Sequence, residues 1–118
     1  MASGVEIVEI QEAERLVASG GGGVFTEGEL RYARERVDPA RRLAARLAAK
    51  RAACRLLGGD ASEREVEVRR GAFGLPSLRL AGAAAARMRA LGASRALVSL
   101  THERSHAAAL VVLVRDGR

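Results

Sequence analysis

The most recognisable spacing of chemically active residues is the H-E-x-x-H pattern formed by His102, Glu103 and His106. In zinc proteases this pattern binds the metal because a helix places both histidines on one face, and the glutamate acts as general base. Here the pattern lies between two apolar segments of strand length, where no helix is expected. We therefore interpret these residues as the turn of a β-hairpin and not as a zinc site.

A stripe of basic residues forms a second pattern. Arg42, Arg46 and Lys50 follow at helical spacing, with Arg51 and Arg55 beside them. A solvated helix face is the simpler interpretation, and composition alone favours it. The alternative is a phosphate-binding surface, because arginine contacts phosphate through two N–H groups and lysine supplies a point charge.

Polar residues also occur near the ends of predicted strands. Glu6 lies in the first strand, and Ser99, Thr101 and His102 belong to a later one. A carboxylate, two hydroxyls and an imidazole could converge on a ligand, or they could be ordinary edge and turn residues. Their spacing leaves both interpretations open.

Length and charge limit the classes of protein to consider. The 118 residues predict a single domain over residues 1–118. A net charge of +6 indicates an anionic partner: a nucleic acid, a phosphorylated cofactor or an acidic protein surface. Phe25, Tyr32 and Phe73 are scattered and offer no stacking platform, so the sequence disfavours nucleic acid.

Cysteine content and hydropathy indicate in which cellular compartment the protein is expected. Cys54 is the single cysteine, which excludes an intrachain disulfide and fits a reducing compartment. Its Ala- and Leu-rich surroundings predict a small buried hydrophobe and not a nucleophile. No segment has the ~20 apolar residues that a membrane span needs, and no signal-peptide pattern is present. We expect a cytoplasmic protein with no membrane partner.

Local patterns in the first half of the chain predict a strand followed by helices. Residues 5–10 have the composition of a strand, and a short helical pattern follows until the glycines at 20–23. Thr26 and Glu29 have the spacing of a capping box, so a helix should begin at Thr26 and run to about residue 36.

The next pattern predicts a long helix, after which strands dominate. Asp38 and Pro39 are expected at its N-cap and first helical position, and it should reach Leu57. The later elements are a strand at 65–68, a turn at 71–76, a strand at 77–80, a helix at 83–91, and strands at 96–101 and 107–114. The order β-α-α-α-β-β-α-β-β predicts an α+β fold with hairpins.

Several segments together resemble the holo-acyl-carrier-protein synthases, a family of small phosphopantetheinyl transferases. Residues 4–10 are similar to the family's opening G-[IV]-D-[IL]-x-E-[IL], and residues 24–30 to its V-F-T-x-x-E-L. Residues 42–50 match the stretch that leads into its A-A-K-E-A signature. Further matches follow in one register at 57–58, 65–68, 74–76, 78–82 and 98–102, so the similarity covers nearly the whole chain.

The resemblance implies a phosphopantetheinyl transferase fold, in which a mostly antiparallel sheet packs against a long helix. It implies a homotrimer whose active sites lie at subunit interfaces. The implied reaction moves the phosphopantetheine arm of coenzyme A onto a serine of an acyl carrier protein and needs Mg²⁺. Carrier proteins are acidic, so a positive net charge suits that partner.

The resemblance also assigns roles to residues of this chain. It implies that Glu6, Lys50 and His102 are catalytic and that Glu6 is a metal ligand. The residues implied in coenzyme A binding are Arg46, Lys50, Arg55, Gly74, Pro76, Ser99, Thr101 and His102.

The sequence departs from the family pattern at the metal-binding positions. The family's first metal-binding aspartate is Glu6 here, and its second carboxylate, the glutamate of A-A-K-E-A, is Arg51. Mg²⁺ usually needs one or two carboxylates together with substrate phosphates, and a guanidinium brings positive charge to that place. A family arginine that helps dock the carrier protein is Glu12, whereas Arg55 keeps the charge of the usual lysine.

Two interpretations of Arg51 follow. In the first, Arg51 pairs with Glu6, transfer activity is lost, and the chain is a binder of coenzyme A or of a carrier protein. In the second, Arg51 replaces the metal and contacts the pyrophosphate. Both lead us to expect weak or absent transferase activity.

Overall fold

The computed structural model describes residues 2–115, apart from the side chain of Ala72. The helices and strands are β1 (Ala2–Glu9), α1 (Ile10–Ala18), α2 (Glu27–Arg34), α3 (Pro39–Leu57), β2 (Val66–Arg70), β3 (Pro76–Leu80), α4 (Gly82–Ala90), β4 (Arg95–His102) and β5 (His106–Val114). Short 3₁₀ turns at Glu63–Glu65 and Ala72–Gly74 precede β2 and β3. The predicted order of elements is confirmed.

The strands of the described residues form two antiparallel sheets. In the larger sheet β5 lies between β1 and β4, so Leu110 faces Val5 on one side and Ser99 on the other. β2 and β3 pair as a separate hairpin, and β3 lies beside β4. This arrangement confirms the α+β class and the mostly antiparallel sheet packed against a long helix.

The long helix α3 packs on the larger sheet through alanines. Ala44, Ala48 and Ala52 are completely buried, and α3 contacts both β1 and β5. Small side chains allow the helix backbone to approach the sheet closely and fill the interface without voids. The position of α3 is therefore fixed, and so are the points on its backbone from which the charged side chains project.

Within residues 2–115, no helix is both long enough and apolar enough to cross a bilayer.

The starts of α2 and α3 differ in how their backbone groups are satisfied. Thr26 Oγ1 accepts a hydrogen bond from Glu29 N at 3.2 Å, and Thr26 N donates to Glu29 Oε1 at 2.9 Å, which confirms the capping box. Asp38 and Pro39 hold the predicted positions at the start of α3. The Asp38 carboxylate does not cap the backbone, however, because it accepts a hydrogen bond from Arg42 Nε at 3.1 Å.

The H-E-x-x-H residues form the predicted turn. β4 ends at His102 and β5 begins at His106. Glu103 closes the turn, because its Oε1 accepts hydrogen bonds from Ser105 Oγ at 3.2 Å and from His106 N at 3.4 Å. The helix that a zinc-protease motif requires is absent from this segment, so the hairpin interpretation is confirmed.

Candidate functional site

Tyr32, on α2, is surrounded by arginine side chains. The Cζ atoms of Arg36 and Arg46 lie 4.0 and 4.1 Å from the centre of its ring, and that of Arg70 lies 5.7 Å away. Arg70 Nη1 also donates a hydrogen bond to the Tyr32 hydroxyl. Burial opposes ionisation of the phenol, but the arginines outweigh it and lower the pKa of Tyr32. The aromatic face thus gathers three cations at one place.

Arg46 is the buried member of this arginine cluster. Its side chain projects from α3 and the residue is 5% exposed. Nη1 donates to the Arg42 carbonyl oxygen at 3.4 Å, whereas the buried Nε has no hydrogen-bond partner within the described residues. Burial disfavours the charged guanidinium and lowers the pKa of Arg46. Because an unsatisfied buried N–H group is costly, this guanidinium is a candidate contact for an anionic ligand.

Arg46 lies in a surface depression, which we call the arginine depression. Its lining includes Tyr32, Arg42, Arg46, Arg70, Gly74 and Pro76. Three residues implied in coenzyme A binding, Arg46, Gly74 and Pro76, therefore come together in the structure. The φ of Gly74 is +74°, and a Cβ added there would lie 3.5 Å from the Arg70 guanidinium. A contact at that distance is ordinary, so the positive φ and not crowding by Arg70 is what favours glycine here.

Lys50 takes no part in the arginine depression, because it is completely buried. Its Nζ donates hydrogen bonds to Glu29 Oε1 at 2.7 Å and to the Val66 carbonyl oxygen at 2.6 Å. The other Glu29 oxygen, Oε2, accepts from Val68 N at 2.7 Å. Burial disfavours the charged amine and lowers the pKa of Lys50, while Glu29 opposes that shift. The pair thus connects α2, α3 and β2 inside the protein.

The solvated-face interpretation of the basic stripe is therefore wrong for Arg46 and Lys50. Both are buried, and only Arg42 of the three is partly exposed. Helical spacing identified one face of α3 correctly but did not reveal that α2 and the β2–β3 hairpin cover it. The catalytic role implied for Lys50 stays a prediction, and its Nζ does not reach the surface in this structure.

A second group of charges lies on the opposite flank of α3, against β1 and α1. Arg55 forms a salt bridge with Glu6, and its Nη2 also donates to the Val5 carbonyl oxygen at 2.9 Å. Arg51 forms its salt bridge with Glu12. The hypothesis that Arg51 pairs with Glu6 is therefore wrong, because α1 places Glu12 against Arg51 and leaves Glu6 to Arg55. The hydrogen bond that Arg51 donates to the Glu12 carboxylate lowers the pKa of Glu12 and raises the pKa of Arg51.

Two of the β4 residues that the resemblance implied in coenzyme A binding lie on another surface. Ser99 and Thr101 are exposed and alternate with the inward-facing Val98 and Leu100. They lie on the outer face of the larger sheet, away from α3.

The other implied residues lie elsewhere. His102 is half-buried near Asp38 at the start of α3, and its Nδ1 is buried without a hydrogen-bond partner among the described residues. Arg55 lies beside Glu6, and Lys50 is inside the protein. One copy of the chain thus does not bring all the implied residues to one surface.

The carboxylates near Arg51 do not fit the Mg²⁺ that the family resemblance implies. Glu6 is engaged by Arg55, and the second ligand position holds the Arg51 guanidinium. Within residues 2–115, no group of three or more His, Cys, Asp or Glu side chains could hold a metal ion. A divalent cation here would face two guanidinium groups, and like charges repel.

Cys54 offers no alternative nucleophile. The side chain is half-buried on α3 and packs against an apolar cluster that includes Ala53 and Leu57, and burial raises the pKa of its thiol to about 11. A thiol with this pKa is almost fully protonated near neutral pH, so it lacks the thiolate that reacts.

Comparison with known proteins shows the family. The chain is 41% identical to the holo-[acyl-carrier-protein] synthase of Halorhodospira halophila over 119 aligned residues, which cover 94% of each protein. The chain belongs to the holo-[acyl-carrier-protein] synthase family. The family's synthase from Nitratidesulfovibrio vulgaris is 50% identical over 80 residues, and in that match the chain spans 64% of the relative's length.

Solved structures support the same conclusion about the fold. The synthase of Neisseria meningitidis superposes with a TM-score of 0.81 at 29% identity, covering 96% of this chain and 97% of the other. That of Helicobacter pylori, solved in complex with coenzyme A, has a TM-score of 0.79 at 19% identity, covering 95% and 99%. A search of protein-family models matches nothing. The family resemblance and its fold are thus confirmed.

Sequence reasoning did not identify Tyr32, Arg70 or the buried role of Glu29. Tyr32 and Arg70 stand 38 positions apart, so no local pattern relates them. Glu29 did give a signal as the partner of Thr26 in the capping box, but its contact with Lys50 spans 21 positions. These contacts depend on how α2 and the hairpin pack around α3.

The buried Lys50–Glu29 pair predicts a large cost for removing one partner alone. Lys50→Met should lower the free energy of unfolding by about 3–5 kcal/mol, because it leaves the Glu29 charge buried without its cation. Adding Glu29→Gln should recover part of that loss, since the unpaired charge disappears. Arg42→Met, which removes a partly exposed ion pair, is the matched control and should cost only about 0–1 kcal/mol. Urea unfolding of the four proteins measures this; equal costs for Lys50→Met and Arg42→Met would contradict the structural role.

Proposed function

We propose that this chain binds coenzyme A in the arginine depression and keeps the scaffold of phosphopantetheine transfer to an acyl carrier protein, with weak or lost transferase activity. The observation that carries the proposal is the buried Arg46 guanidinium, whose Nε has no hydrogen-bond partner among residues 2–115. Family membership supports the reaction class, and the coenzyme A complex of the Helicobacter pylori synthase supports the ligand.

The chemistry of the arginine depression suits the phosphates of coenzyme A. Arg46 and Arg70 form no salt bridge within residues 2–115, so their charges are not neutralised by a carboxylate. Arginine contacts phosphate through paired N–H groups, and such charge-assisted hydrogen bonds are about twice as strong as neutral ones. The Tyr32 ring holds both guanidinium groups in place, which reduces the entropy lost when a ligand binds.

The outer face of the larger sheet supports assembly of several copies. The large apolar side chains exposed on this face are Val5, Ile7, Leu97 and Leu110, which are 55%, 65%, 47% and 40% exposed. Their register places them side by side, because Val5 pairs with Leu110 in the antiparallel ladder. An exposed apolar patch marks an interaction surface. We take its occupants to be further copies of the chain in a homotrimer.

Assembly would also explain the division of the implied binding residues. Ser99 and Thr101 share the apolar outer face, whereas Arg46, Gly74 and Pro76 line the arginine depression. In a homotrimer, β4 of one copy would face a neighbour and bring its hydroxyls to the neighbour's ligand. Each coenzyme A would then contact two chains.

Weak transferase activity follows from the charges on the other flank of α3. The family reaction needs Mg²⁺, and the residues around Glu6 do not fit that ion. Loss of a dedicated electrostatic stabiliser costs about 3 kcal/mol or more in the transition state. Glu12 adds a further defect, because it replaces a family arginine that helps dock the acidic carrier protein and its own charge is paired with Arg51.

The arginine depression predicts measurable binding of coenzyme A. Isothermal titration calorimetry should show binding by the wild-type chain and a loss of about tenfold to a hundredfold in affinity for Arg46→Ala, the worth of one charge-assisted contact. Arg89→Ala removes the same charge from an exposed position on α4 and should bind as the wild type does. Thermal melts of each variant establish that it is folded.

Two results of that titration would contradict the proposal. One is a wild-type chain that does not bind coenzyme A; the other is an Arg46→Ala chain, folded by its melt, that binds as tightly as the wild type. Dephospho-coenzyme A, run in parallel, separates the contribution of the 3′-phosphate from that of the pyrophosphate.

The apolar outer face predicts a homotrimer that a single charge disrupts. Light scattering coupled to size-exclusion chromatography should give the mass of three copies for the wild type. Ile7→Lys should give monomers, because assembly would bury an unpaired ammonium group. Val37→Lys adds the same charge to a fully exposed residue outside the sheet and should remain trimeric. A monomeric wild type, or a trimeric Ile7→Lys, would exclude this face as the interface.

A further inference from the structure

The Arg51 guanidinium lies among carboxylates supplied by three different elements. Its direct partner is Glu12 of α1, and the side chains of Arg51 and Glu12 are 32% and 36% exposed. Glu63, in the turn before β2, and Glu6 of β1 also act on Arg51 through their charges. All three carboxylates therefore stabilise one positive group on α3.

The second arginine on this flank of α3 compensates only one of the three carboxylates. Arg55 stands one helical turn after Arg51, is engaged by Glu6, and is 57% exposed at its side chain. Glu63 forms no salt bridge within residues 2–115. Arg15 of α1 also acts on Glu12 through its charge. Counting Glu6, Glu12 and Glu63 against Arg15, Arg51 and Arg55 gives a net charge of 0, and without Arg51 it would be −1.

We propose that the Arg51 guanidinium is the resident cation of this acidic neighbourhood and excludes divalent cations from it. The inference goes beyond the proposed function, because Arg51 lies on the flank of α3 opposite the arginine depression. A chain that excludes divalent cations should bind coenzyme A equally with and without metal, and this consequence alone rests on the proposed function. A tethered cation is always present at its site, so no free ion has to be captured from solution.

Physical differences between the two kinds of cation explain the exclusion. Mg²⁺ requires near-octahedral oxygen ligands at about 2.0–2.1 Å, whereas a planar guanidinium is satisfied by contacts at hydrogen-bond distance. The carboxylates near Arg51 are not arranged as a metal cage among the described residues. A divalent ion would also meet the repulsion of Arg51 itself, which in a partly exposed setting amounts to a few kcal/mol at close range.

Removing the guanidinium should therefore convert the neighbourhood into a weak divalent-cation site. In Arg51→Ala the carboxylates of Glu12 and Glu63 lose the cation that Arg51 supplied, while Glu6 keeps its salt bridge with Arg55. The flexible glutamate side chains can then turn toward an added ion. We expect Mn²⁺ to bind Arg51→Ala at least about tenfold more tightly than the wild type. Mn²⁺ should also raise the melting temperature of this variant while leaving that of the wild type unchanged.

The experiment is a Mn²⁺ titration by calorimetry, with thermal melts by circular dichroism in the presence and absence of the ion. Arg42→Ala is the matched control, because it also frees one carboxylate, Asp38, from an arginine on α3 and should gain no Mn²⁺ binding. Glu12→Gln added to Arg51→Ala should abolish the gain. Should Arg51→Ala lack a cooperative melt, Arg51→Gln, which keeps most of the side-chain volume, takes its place.

Two outcomes would overturn the inference: a wild-type chain that binds Mn²⁺ as tightly as Arg51→Ala, or folded Arg51 variants that bind no more tightly than the wild type. A separate titration of the wild type with coenzyme A, with excess EDTA or with Mg²⁺, should give the same affinity. Absence of coenzyme A binding in both solutions would refute the proposed function, while the Mn²⁺ comparison would still decide the role of Arg51.

Discussion

The buried ion pair between Lys50 and Glu29 is the interaction on which the rest of the structure depends. It places opposite charges 2.7 Å apart in a fully buried position. Lys50 Nζ and both carboxylate oxygens of Glu29 also form hydrogen bonds with backbone groups of Thr26, Val66 and Val68. The two buried charges are therefore stabilised by hydrogen bonds as well as by each other. Lys50 is on α3 and Glu29 is in the first turn of α2, so the pair holds α2 against α3. α2 and the β2–β3 hairpin together cover Arg46. The arginine depression exists only where α2 and the hairpin are held in this way.

α3 distributes its charged side chains to two flanks, and the two flanks have different chemistry. On the flank that faces α2 and the hairpin, Arg46 and Arg70 gather around Tyr32 and form no salt bridge with a carboxylate in the part of the chain that the structure describes. On the flank that faces β1 and α1, Arg51 and Arg55 are neutralised by glutamates. The first flank is suited to an anionic ligand from solution. The second is already occupied by internal ion pairs and does not suit a metal ion.

The sequence was sufficient to predict most of the fold. The order of elements, the capping box at Thr26 and the turn after His102 all depend on local patterns, and local patterns are visible in one chain. The family resemblance likewise rested on motifs in one register. What the sequence did not reveal is which charges are buried and which partners they have. Arg46 and Lys50 have the same spacing as a solvated stripe, and their burial results from the packing of segments that are distant in the chain.

The same limit applies to Arg51. Its type and position showed that the usual metal site is altered, but the choice between Glu6 and Glu12 as its partner depends on how α1 leaves β1. That turn places Glu12 beside Arg51 and gives Glu6 to Arg55. A single residue of difference in the start of α1 would rotate Glu12 by about 100° around the helix axis, away from α3. The spacing of residues in a sequence does not define the direction of a side chain around a helix axis this precisely.

The central claim is that this chain keeps the coenzyme A site of its family but lacks the cation that drives transfer. Mass spectrometry of an apo carrier protein incubated with coenzyme A and the chain, over a range of Mg²⁺ concentrations, tests it most directly. We expect slow or undetectable addition of phosphopantetheine, at a rate that Mg²⁺ does not raise. Mg²⁺-dependent addition as fast as that of a relative with both metal-binding carboxylates would contradict it.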